Sequence, residues 1–336
     1  MDNFCPSIVT NQIRRLFVLP DSTLLEEIAL PEVNFQRGTL WQKTVDLTRH
    51  AIQSGALISI ATDYEIIEDH TVPFILRVVL NLQRKDIDRQ QQSVKEAEGK
   101  PANPFLPYDP DLFVADISNS HLCLLNKFNV VNHHLLLITR NFEPQESLLT
   151  LADFTALARC LDEFDSLAFY NSGAASSASQ PHKHLQLITL PMTAEGPSLP
   201  IKAQIEALPT QAEIARLPVF PFVHGCVRFE LGDGHSTEAL AQTLLDTYYR
   251  LLHALGLSQT AVPDRPPTSA YNLLATRQWM LMVPRSQSAY GDIAPNALGF
   301  VGAILVRSNE QLEQVKAMGP ISILQRLTYP LGATQV

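Results

Sequence analysis

Two histidines and a glutamine alternate along the segment His182-Lys183-His184-Leu185-Gln186. Successive side chains on a β-strand point to opposite faces, so a strand here would place His182, His184 and Gln186 together. A neutral imidazole is a good nucleophile near pH 7, because its unperturbed pKa of about 6.5 leaves most of it unprotonated. Attack by one ring nitrogen on phosphorus gives a reactive phosphoimidazole, while the other nitrogen keeps its proton. The spacing therefore predicts nucleophilic chemistry on phosphorus at His184.

A run of small residues, NSGAASSASQP, precedes this segment at 171–181. Glycine, alanine and serine allow the backbone to approach a ligand closely. Backbone N–H groups and the hydroxyls of Ser177 and Ser179 could then bond phosphate oxygens and stabilise charge in a transition state. Transfer of a phosphoryl or nucleotidyl group depends mostly on such positioning and charge stabilisation. The loop is therefore where we expect phosphate charge to be held.

Hydrophobic patterning predicts the elements that must position these residues. Strands are expected at 112–118, 121–128, 133–140, 166–171 and 182–190. A helix is expected at about 148–166, with Thr150 as its N-cap. This order predicts an α+β fold, in which helices pack on an antiparallel sheet.

The regions on either side of this core also carry patterns that predict helices and strands. We expect helix within 11–56, strand-like runs at 57–61 and 73–82, and an exposed polar excursion at 84–104. Later elements are a helix at about 237–255 followed by Gly256, a hairpin at 271–284, a buried strand at 299–306, and a final helix from a Ser308–Gln311 capping box to Gly319. We divide the chain into an N-terminal region at 1–195, with the catalytic core, and a closely packed C-terminal α/β portion at 196–336.

Composition excludes several classes of protein. The 336 residues are 46% hydrophobic and 18% charged, a balance typical of a globular protein with a sizeable core. A formal net charge of −9 and no block of basic residues argue against nucleic-acid binding. The four cysteines are isolated, so neither a disulfide framework nor a thiolate zinc site is expected. No signal peptide or membrane-spanning run is evident, and we expect a cytoplasmic protein with no membrane partner.

The residues from 171 to 186 together resemble the signature of the histidine-triad superfamily in its transferase branch. The matching pattern is Asn171-x-Gly173-x₅-Ser179-Gln180-Pro181-His182-x-His184-x-Gln186. That branch includes galactose-1-phosphate uridylyltransferases and the ATP adenylyltransferases, or diadenosine tetraphosphate phosphorylases. Gln186 stands where the hydrolases have a third histidine. Residues 103–107, 124–144, 271–286 and 296–302 are more similar to the phosphorylases.

The resemblance implies a role for each matching residue. His184 would take up AMP, the carbonyl of His182 would hold the His184 ring, and Gln186 would bond the α-phosphate. Asn126 matches a ribose-contacting position, and Lys127 beside it would see the phosphate chain. The substrate-binding loop would comprise Asn171, Gly173, Ser177, Ser179 and Gln180, of which Asn171 and Ser179 match phosphate contacts.

Two positions leave alternatives open. The uridylyltransferases have a glycine where this chain has Ser177, so the loop would hold a differently shaped phosphate chain. Arg285 flanks the hairpin at 271–284, where it could contact distal phosphates or lie in solvent as an ordinary arginine at a hairpin end.

The resemblance also implies an activity. The enzyme would cleave diadenosine tetraphosphate reversibly with inorganic phosphate, giving ATP and ADP through an adenylyl-histidine. A divalent cation, Mg²⁺ or Mn²⁺, would accompany the substrate, and no protein-bound zinc is expected. The partners would be small nucleotides and phosphate, bound by a monomer or small homo-oligomer.

Other readings of the histidines remain. A His-x-His pair can ligate a metal, but the adjacent loop offers no third ligand. Both rings could instead be satisfied inside a core, and for His133 and His134 periodicity favours such a structural role. Within the superfamily, water could replace phosphate as the acceptor, or a hexose phosphate could be the substrate. A catalytically idle nucleotide sensor is the alternative from another class.

Overall fold

The computed structural model describes residues 35–79, 103–210, 213–232 and 234–332. The first helix, α1, spans Leu40–Ser54 and ends at Gly55, whose φ of 79° is left-handed. The other helices are α2 Leu151–Leu161, α3 Lys202–Glu206, α4 Thr237–Ala254, α5 Asn309–Met318 and α6 Pro320–Arg326. The strands are β1 Thr62–Asp69, β2 Val72–Val79, β3 Phe113–Asp116, β4 His121–Leu125, β5 Leu135–Thr139, β6 Ser166–Ser172, β7 His184–Thr189, β8 Gly225–Arg228, β9 Tyr271–Ala275, β10 Trp279–Pro284 and β11 Ala303–Val306.

Eight strands form one sheet in the order β3-β4-β5-β7-β6-β9-β10-β8, and every neighbouring pair in it is antiparallel. A second sheet has the order β1-β2-β11, with β11 parallel to β2. The α+β prediction is confirmed. Pairing of β6 with β9 joins the two halves of the chain in one sheet, with Asn171 opposite Asn272. The division at residue 195 stays a prediction.

The large sheet has a buried core on each face. Leu185 and Leu187 of β7 belong to the core that α2 and α4 cover, with Phe154 and Tyr248 among its largest side chains. Ile188, on the opposite face, belongs to a second core that includes β2, β11, α5 and α6. The alternation expected along β7 is therefore present, and the face that carries His184 is the one opposite α2 and α4.

Most predicted elements are confirmed within one to a few residues. Thr150 caps α2 through a capping box with Asp153, and Ser308 accepts a hydrogen bond from Gln311 N–H at the start of α5. The hairpin at 271–284 is β9 and β10. Residues 11–34 of the predicted helical region and residues 84–102 of the polar excursion predicted at 84–104 lie outside the described residues.

Three expectations were wrong. Residues 57–61 are irregular, because Ile58 and Ile60 donate their N–H groups to carbonyls of the segment after β4, and the strand begins later at Thr62. The run 299–306 is a 3-10 helix at Ala297–Val301 followed by β11, with Gly302 at φ 92° between them. A further helix, α6, follows Gly319 directly. None of the helices in the described ranges is long and apolar enough to cross a membrane.

Candidate active site

His184 is the first residue of β7 and lies almost entirely buried, with 3% of its surface exposed. Its Nδ1 lies 2.8 Å from the carbonyl oxygen of His182. A carbonyl oxygen only accepts, so Nδ1 must carry the ring proton and donate it. The lone pair is therefore on Nε2, which is the tautomer that a nucleophilic imidazole requires.

Burial also keeps the His184 ring neutral. Desolvation lowers the pKa of His184 to about 4, an effect that exceeds the opposing influence of the His182 carbonyl. The edge of Phe105 packs against this ring with 5.1 Å between ring centroids. Phe105 belongs to a small apolar cluster on β4 and β5 that includes Leu136 and Ile138. A neutral, desolvated imidazole at pH 7 is what attack on phosphorus needs.

Gln186 is oriented by a chain of hydrogen bonds that begins at the main chain. Phe128 N–H donates to Asn126 Oδ1 (3.3 Å), so the Asn126 amide nitrogen faces His134 Nδ1 at 3.2 Å. His134 then donates from Nε2 to Gln186 Oε1 at 3.0 Å. Because the oxygen of Gln186 is occupied, its amide nitrogen is the group left for a substrate oxygen. His134 is buried, and desolvation lowers its pKa to about 4.

Gln145 holds the main chain of the site. Its Oε1 accepts from His184 N–H at 2.9 Å, and its Nε2 donates to the carbonyls of Asn171 (2.9 Å) and His184 (3.4 Å). Tyr170 in turn donates its hydroxyl to the carbonyl of Gln145. The Gln145 side chain thus joins the end of β6 to the start of β7, where the loop between them leaves the sheet.

The imidazole ring of His182 does not share the contact that the His182 carbonyl makes with His184. It is buried between Asn103, whose Oδ1 lies 2.9 Å from Nδ1, and Thr139, whose hydroxyl lies 2.9 Å from Nε2. Burial lowers the pKa of His182. The main-chain carbonyl, rather than this ring, is what contacts His184.

Lys183 points to the other face of the sheet, into a buried ionic network. Its Nζ lies 2.9 Å from Asp153 Oδ2 and 2.8 Å from Glu143 Oε2. Asp153 also receives a hydrogen bond from His121 at 3.0 Å. Burial raises the pKa of Asp153, but the His121 hydrogen bond and the Lys183 charge outweigh it and hold that pKa at about 2. The network fixes the strand behind the two histidines without reaching their face.

The small-residue loop turns sharply at Gly173, which has φ 83° and ψ 170°. This region of backbone conformation is essentially restricted to glycine. A Cβ at this position would also lie 3.3 Å from Cγ of Glu146. A 3-10 turn follows at Ala174–Ser176, and Ser177 has a left-handed φ of 66°.

Two predicted phosphate contacts of this loop are engaged elsewhere. The Ser177 hydroxyl lies 3.1 Å from both the Ser288 and the Pro295 carbonyls, so its proton is directed to the main chain. Asn171 is buried, and its Oδ1 accepts from Ala297 N–H at 3.0 Å and from the Asn272 amide at 2.7 Å.

Arg285 is buried with 1% of its surface exposed, so the solvated alternative is wrong. It donates to Asn272 Oδ1 at 2.5 Å and to the carbonyls of Pro295, Gln287 and Ser288 at 3.0–3.2 Å. Burial lowers its pKa to about 10, which leaves the guanidinium charged at pH 7.

The other predicted site residues lie at the periphery. Ser179 and Gln180 are exposed in the turn that enters β7. Lys127, half-buried beside Asn126, places its ammonium 5.9 Å from the centroid of the Phe128 ring. Their roles as substrate contacts stay predictions.

Sequence reasoning missed His134, Gln145 and Asn272 as parts of the site. His134 was assigned a structural role, although strand alternation already required one of His133 and His134 to face the side of Gln186. Gln145 and Asn272 carry no local signal, because each acts through contacts with residues distant in sequence. No group of three or more His, Cys, Asp or Glu residues is placed to hold a metal ion in the part of the chain that the structure describes.

A second histidine in the C-terminal half repeats part of the His184 geometry. His224 Nδ1 lies 2.8 Å from the carbonyl of Phe222, two residues earlier, and burial lowers the pKa of His224 to about 4. Its Nε2, however, accepts the N–H of Leu217 at 2.8 Å. The Nε2 lone pair, for which the described residues provide no donor in His184, is therefore occupied in His224.

The chain matches two family models. The Ap4A phosphorylase N-terminal domain matches residues 31–207, and the ATP adenylyltransferase C-terminal domain matches residues 218–330. Among curated proteins of Saccharomyces cerevisiae, diadenosine 5',5'''-P1,P4-tetraphosphate phosphorylase 2 is 33% identical over 243 residues, covering 66% of this chain and 74% of the relative. Protein APA1 is 30% identical over 287 residues, covering 80% of this chain and 87% of the relative.

The fold matches a solved structure over most of its length. Yeast Ap4A phosphorylase Apa2 superposes with a TM-score of 0.69 at 26% identity, covering 89% of this chain and 98% of that one. The same yeast protein in complex with Ap4A superposes with a TM-score of 0.68 at 25% identity, covering 88% of this chain and 99% of that one. The chain therefore belongs to the Ap4A phosphorylase family of nucleotidyltransferases, with an Ap4A phosphorylase N-terminal and an ATP adenylyltransferase C-terminal domain.

Proposed function

We propose that this protein cleaves diadenosine tetraphosphate (Ap4A) with inorganic phosphate to give ATP and ADP, reversibly, through an adenylyl group on His184. The observation that carries the proposal is the 2.8 Å hydrogen bond from His184 Nδ1 to the His182 carbonyl, which leaves the lone pair on Nε2. The relatives named as Ap4A phosphorylases support the choice of substrate.

In the first step His184 Nε2 attacks the α-phosphorus of Ap4A. The N–P bond forms as the bond to the bridging oxygen breaks, and ATP leaves with that electron pair. The ring then carries a positive charge, which the His182 carbonyl stabilises through the proton on Nδ1. The amide nitrogen of Gln186 is placed to donate to an α-phosphate oxygen as its charge grows.

In the second step an oxygen of inorganic phosphate attacks the same phosphorus. The N–P bond breaks, ADP forms, and the electron pair returns to Nε2 as the neutral imidazole is restored. The attacking oxygen is already anionic, so this acceptor needs no general base. Water would need one, and Gln186 cannot supply it because a carboxamide does not accept a proton near pH 7.

A divalent cation, Mg²⁺ or Mn²⁺, is proposed to ride on the polyphosphate rather than to occupy a protein cage. The side chains that meet at His184 are imidazoles and carboxamides, and hard cations of this kind prefer carboxylate and phosphate oxygens. When bound, the cation would neutralise charge on the leaving phosphates. We also propose a cytoplasmic location and a monomer or small homo-oligomer.

The experiment is to incubate the protein with Ap4A labelled in adenine, with and without phosphate, and to identify products and protein-bound label. We expect sustained formation of ATP and ADP only with phosphate; without it, each site should release one ATP and retain acid-labile AMP on the protein. Equal turnover without phosphate would support the hydrolase, whereas tight binding with no product would support a nucleotide sensor.

Two variants locate the covalent bond. His184→Ala should abolish both turnover and trapped AMP. His224→Gln is the matched control, since His224 has the same carbonyl contact and the same lowered pKa but an occupied Nε2. Label retained in His184→Ala, or lost in folded His224→Gln, would overturn the assignment of the nucleophile.

A further inference from the structure

Arg285 is a buried cation for which the described residues provide no carboxylate partner. All four of its hydrogen-bond acceptors are neutral: one carboxamide oxygen and three main-chain carbonyls. Its Nε has no hydrogen-bond partner, and its guanidinium lies 5.5 Å from the centroid of Phe300. Burial of a charge without an opposite charge is costly. The position of Arg285 among neutral acceptors alone therefore needs a functional or structural reason.

Two of those carbonyls also hold the small-residue loop. Ser288 O accepts from Arg285 at 3.2 Å and from the Ser177 hydroxyl at 3.1 Å. Pro295 O accepts from Arg285 at 3.1 Å and from the same hydroxyl at 3.1 Å. The guanidinium therefore fixes the two acceptors on which Ser177, more than 100 residues earlier, depends.

A second connection runs through Asn272. Arg285 donates to Asn272 Oδ1, which turns the Asn272 amide nitrogen toward Asn171 Oδ1 (2.7 Å) and the Ser176 carbonyl (2.9 Å). Two consecutive loop residues, Ser176 and Ser177, are thus tied to one guanidinium. Ser177 also has a left-handed φ of 66°, a conformation that is uncommon for residues other than glycine.

We propose that Arg285, Asn272 and Ser177 form a loop anchor that positions the 173–179 loop for transfer to His184, and that Ser177 and Arg285 act on this loop rather than on the distal phosphates. They are positioning residues. This inference rests on the proposed transfer at His184, and it replaces the expectation that their side chains bind the phosphate chain. The C-terminal half then contributes to catalysis by fixing the backbone of the N-terminal loop.

The test compares Ser177→Ala on two substrates that share AMP but differ in leaving group. Ap4A expels ATP, with its triphosphate chain, whereas the 4-nitrophenyl ester of AMP expels a nitrophenolate that carries no phosphate. Ser177→Ala removes only the hydroxyl that bonds the two carbonyls and adds no bulk to the loop. Ser286→Ala is the matched control, because that hydroxyl bonds the Thr328 carbonyl away from the loop.

If the loop anchor acts by positioning, Ser177→Ala lowers kcat on both substrates by the same factor, about 10- to 100-fold, while KM changes little. A loss confined to Ap4A would mean that Ser177 contacts the distal phosphates, and no loss on either substrate would also overturn the proposal. Release of nitrophenolate reports the first transfer alone, so an absence of phosphorolysis in the wild-type protein would refute the proposed function without deciding this inference.

A readout that needs no activity is hydrogen–deuterium exchange of the peptide covering 172–181. Exchange should be faster in Ser177→Ala than in the wild type or Ser286→Ala, and unchanged exchange would contradict the loop anchor.

Arg285→Lys keeps the charge but cannot reach all four acceptors. In the double variant with Ser177→Ala, kcat should fall by less than the product of the two single-variant factors, since both residues act through the same carbonyls. Effects that multiply fully would refute the shared anchor.

Discussion

The strongest quantitative prediction concerns the pH dependence of the first transfer to His184. Burial lowers the pKa of His184 to about 4, and only the neutral ring is a nucleophile. With that pKa about 99% of the enzyme is reactive at pH 6 and about 90% at pH 5. An unperturbed histidine would be about 24% neutral at pH 6 and about 3% at pH 5. At pH 5 the two cases differ by about thirtyfold in rate.

The assay is a rapid-quench measurement of labelled AMP on the protein, with Ap4A well below KM and no phosphate, between pH 5 and 8 at constant ionic strength. Omission of phosphate removes the titration of the acceptor from the profile. We expect kcat/KM for this step to be flat from pH 8 to pH 6 and to fall only slightly at pH 5. A fall with an apparent pKa between 6 and 7 would refute the argument that the free enzyme holds His184 desolvated.

Stability sets the lower limit of this experiment. His134, His184 and His224 each have a folded-state pKa of about 4, below the unfolded value of about 6.5. The unfolded chain therefore binds more protons than the folded one, and stability falls as pH drops from about 6.5 toward 4. At pH 5 each histidine removes about 2 kcal/mol relative to pH 8. Circular dichroism at each pH separates loss of fold from loss of reactivity.

Three further substitutions test separate parts of the site. His182→Ala should lower the rate about tenfold or less, because the carbonyl that holds His184 remains and only the ring hydrogen bonds are lost; AMP trapping measures this, and a loss as complete as in His184→Ala would contradict it. Lys183→Met leaves Asp153 buried without its cation and should lower the free energy of unfolding by about 3–5 kcal/mol in urea titrations, whereas an unchanged midpoint would show that the network adds no stability. Gly173→Ala forces a side chain into a backbone region reserved for glycine, which should cost about 1–3 kcal/mol of stability and slow AMP transfer; wild-type values for both would contradict the strained turn.

Local patterns predicted most of the elements that carry the site. Strand alternation placed His184 and Gln186 on one face, and the stripe of apolar residues with Thr150 located α2. Prediction failed where an apolar run fits more than one structure. The segment 299–306 is apolar throughout, and composition alone does not separate a 3-10 turn from a strand. Strand β1 failed for the opposite reason, since TDYEIIED is largely polar and partly exposed.

Gly319 illustrates a different limit. A glycine after a helical pattern predicts a helix end, and α5 does end there. The same residue also precedes Pro320 at the first position of α6, where proline is favoured because its missing N–H would have no partner. Gly319 thus ends α5 and also precedes α6. Because the glycine was interpreted as the end of the last helix, α6 was not predicted.

The part of the site that no local pattern could reveal is the orientation of its carboxamides. Each is fixed by a main-chain N–H: Asn126 by that of Phe128, two residues further along, and Gln145 and Asn171 by those of His184 and Ala297, which are distant in sequence. With the oxygen end held, the amide nitrogen has one direction in which to donate. The Asn126 nitrogen is directed to His134 Nδ1, and the Gln145 nitrogen to carbonyls of β6 and β7. The Asn171 nitrogen is directed away from Ala297 N–H.

The chain of hydrogen bonds that passes from Asn126 through His134 orients Gln186 before a substrate arrives, so its amide nitrogen would need no reorganisation when charge develops on phosphorus. Such positioning is the main contribution that a protein makes to nucleotidyl transfer. The type of residue at each position was therefore readable from the sequence, but its direction was not. Direction depends on which N–H the sheet order brings close, and that order pairs β6 with β9 across about 100 residues of chain. For this reason the candidate nucleophile could be proposed from the pattern at 171–186, whereas most of the residues that orient its surroundings had to come from the tertiary structure.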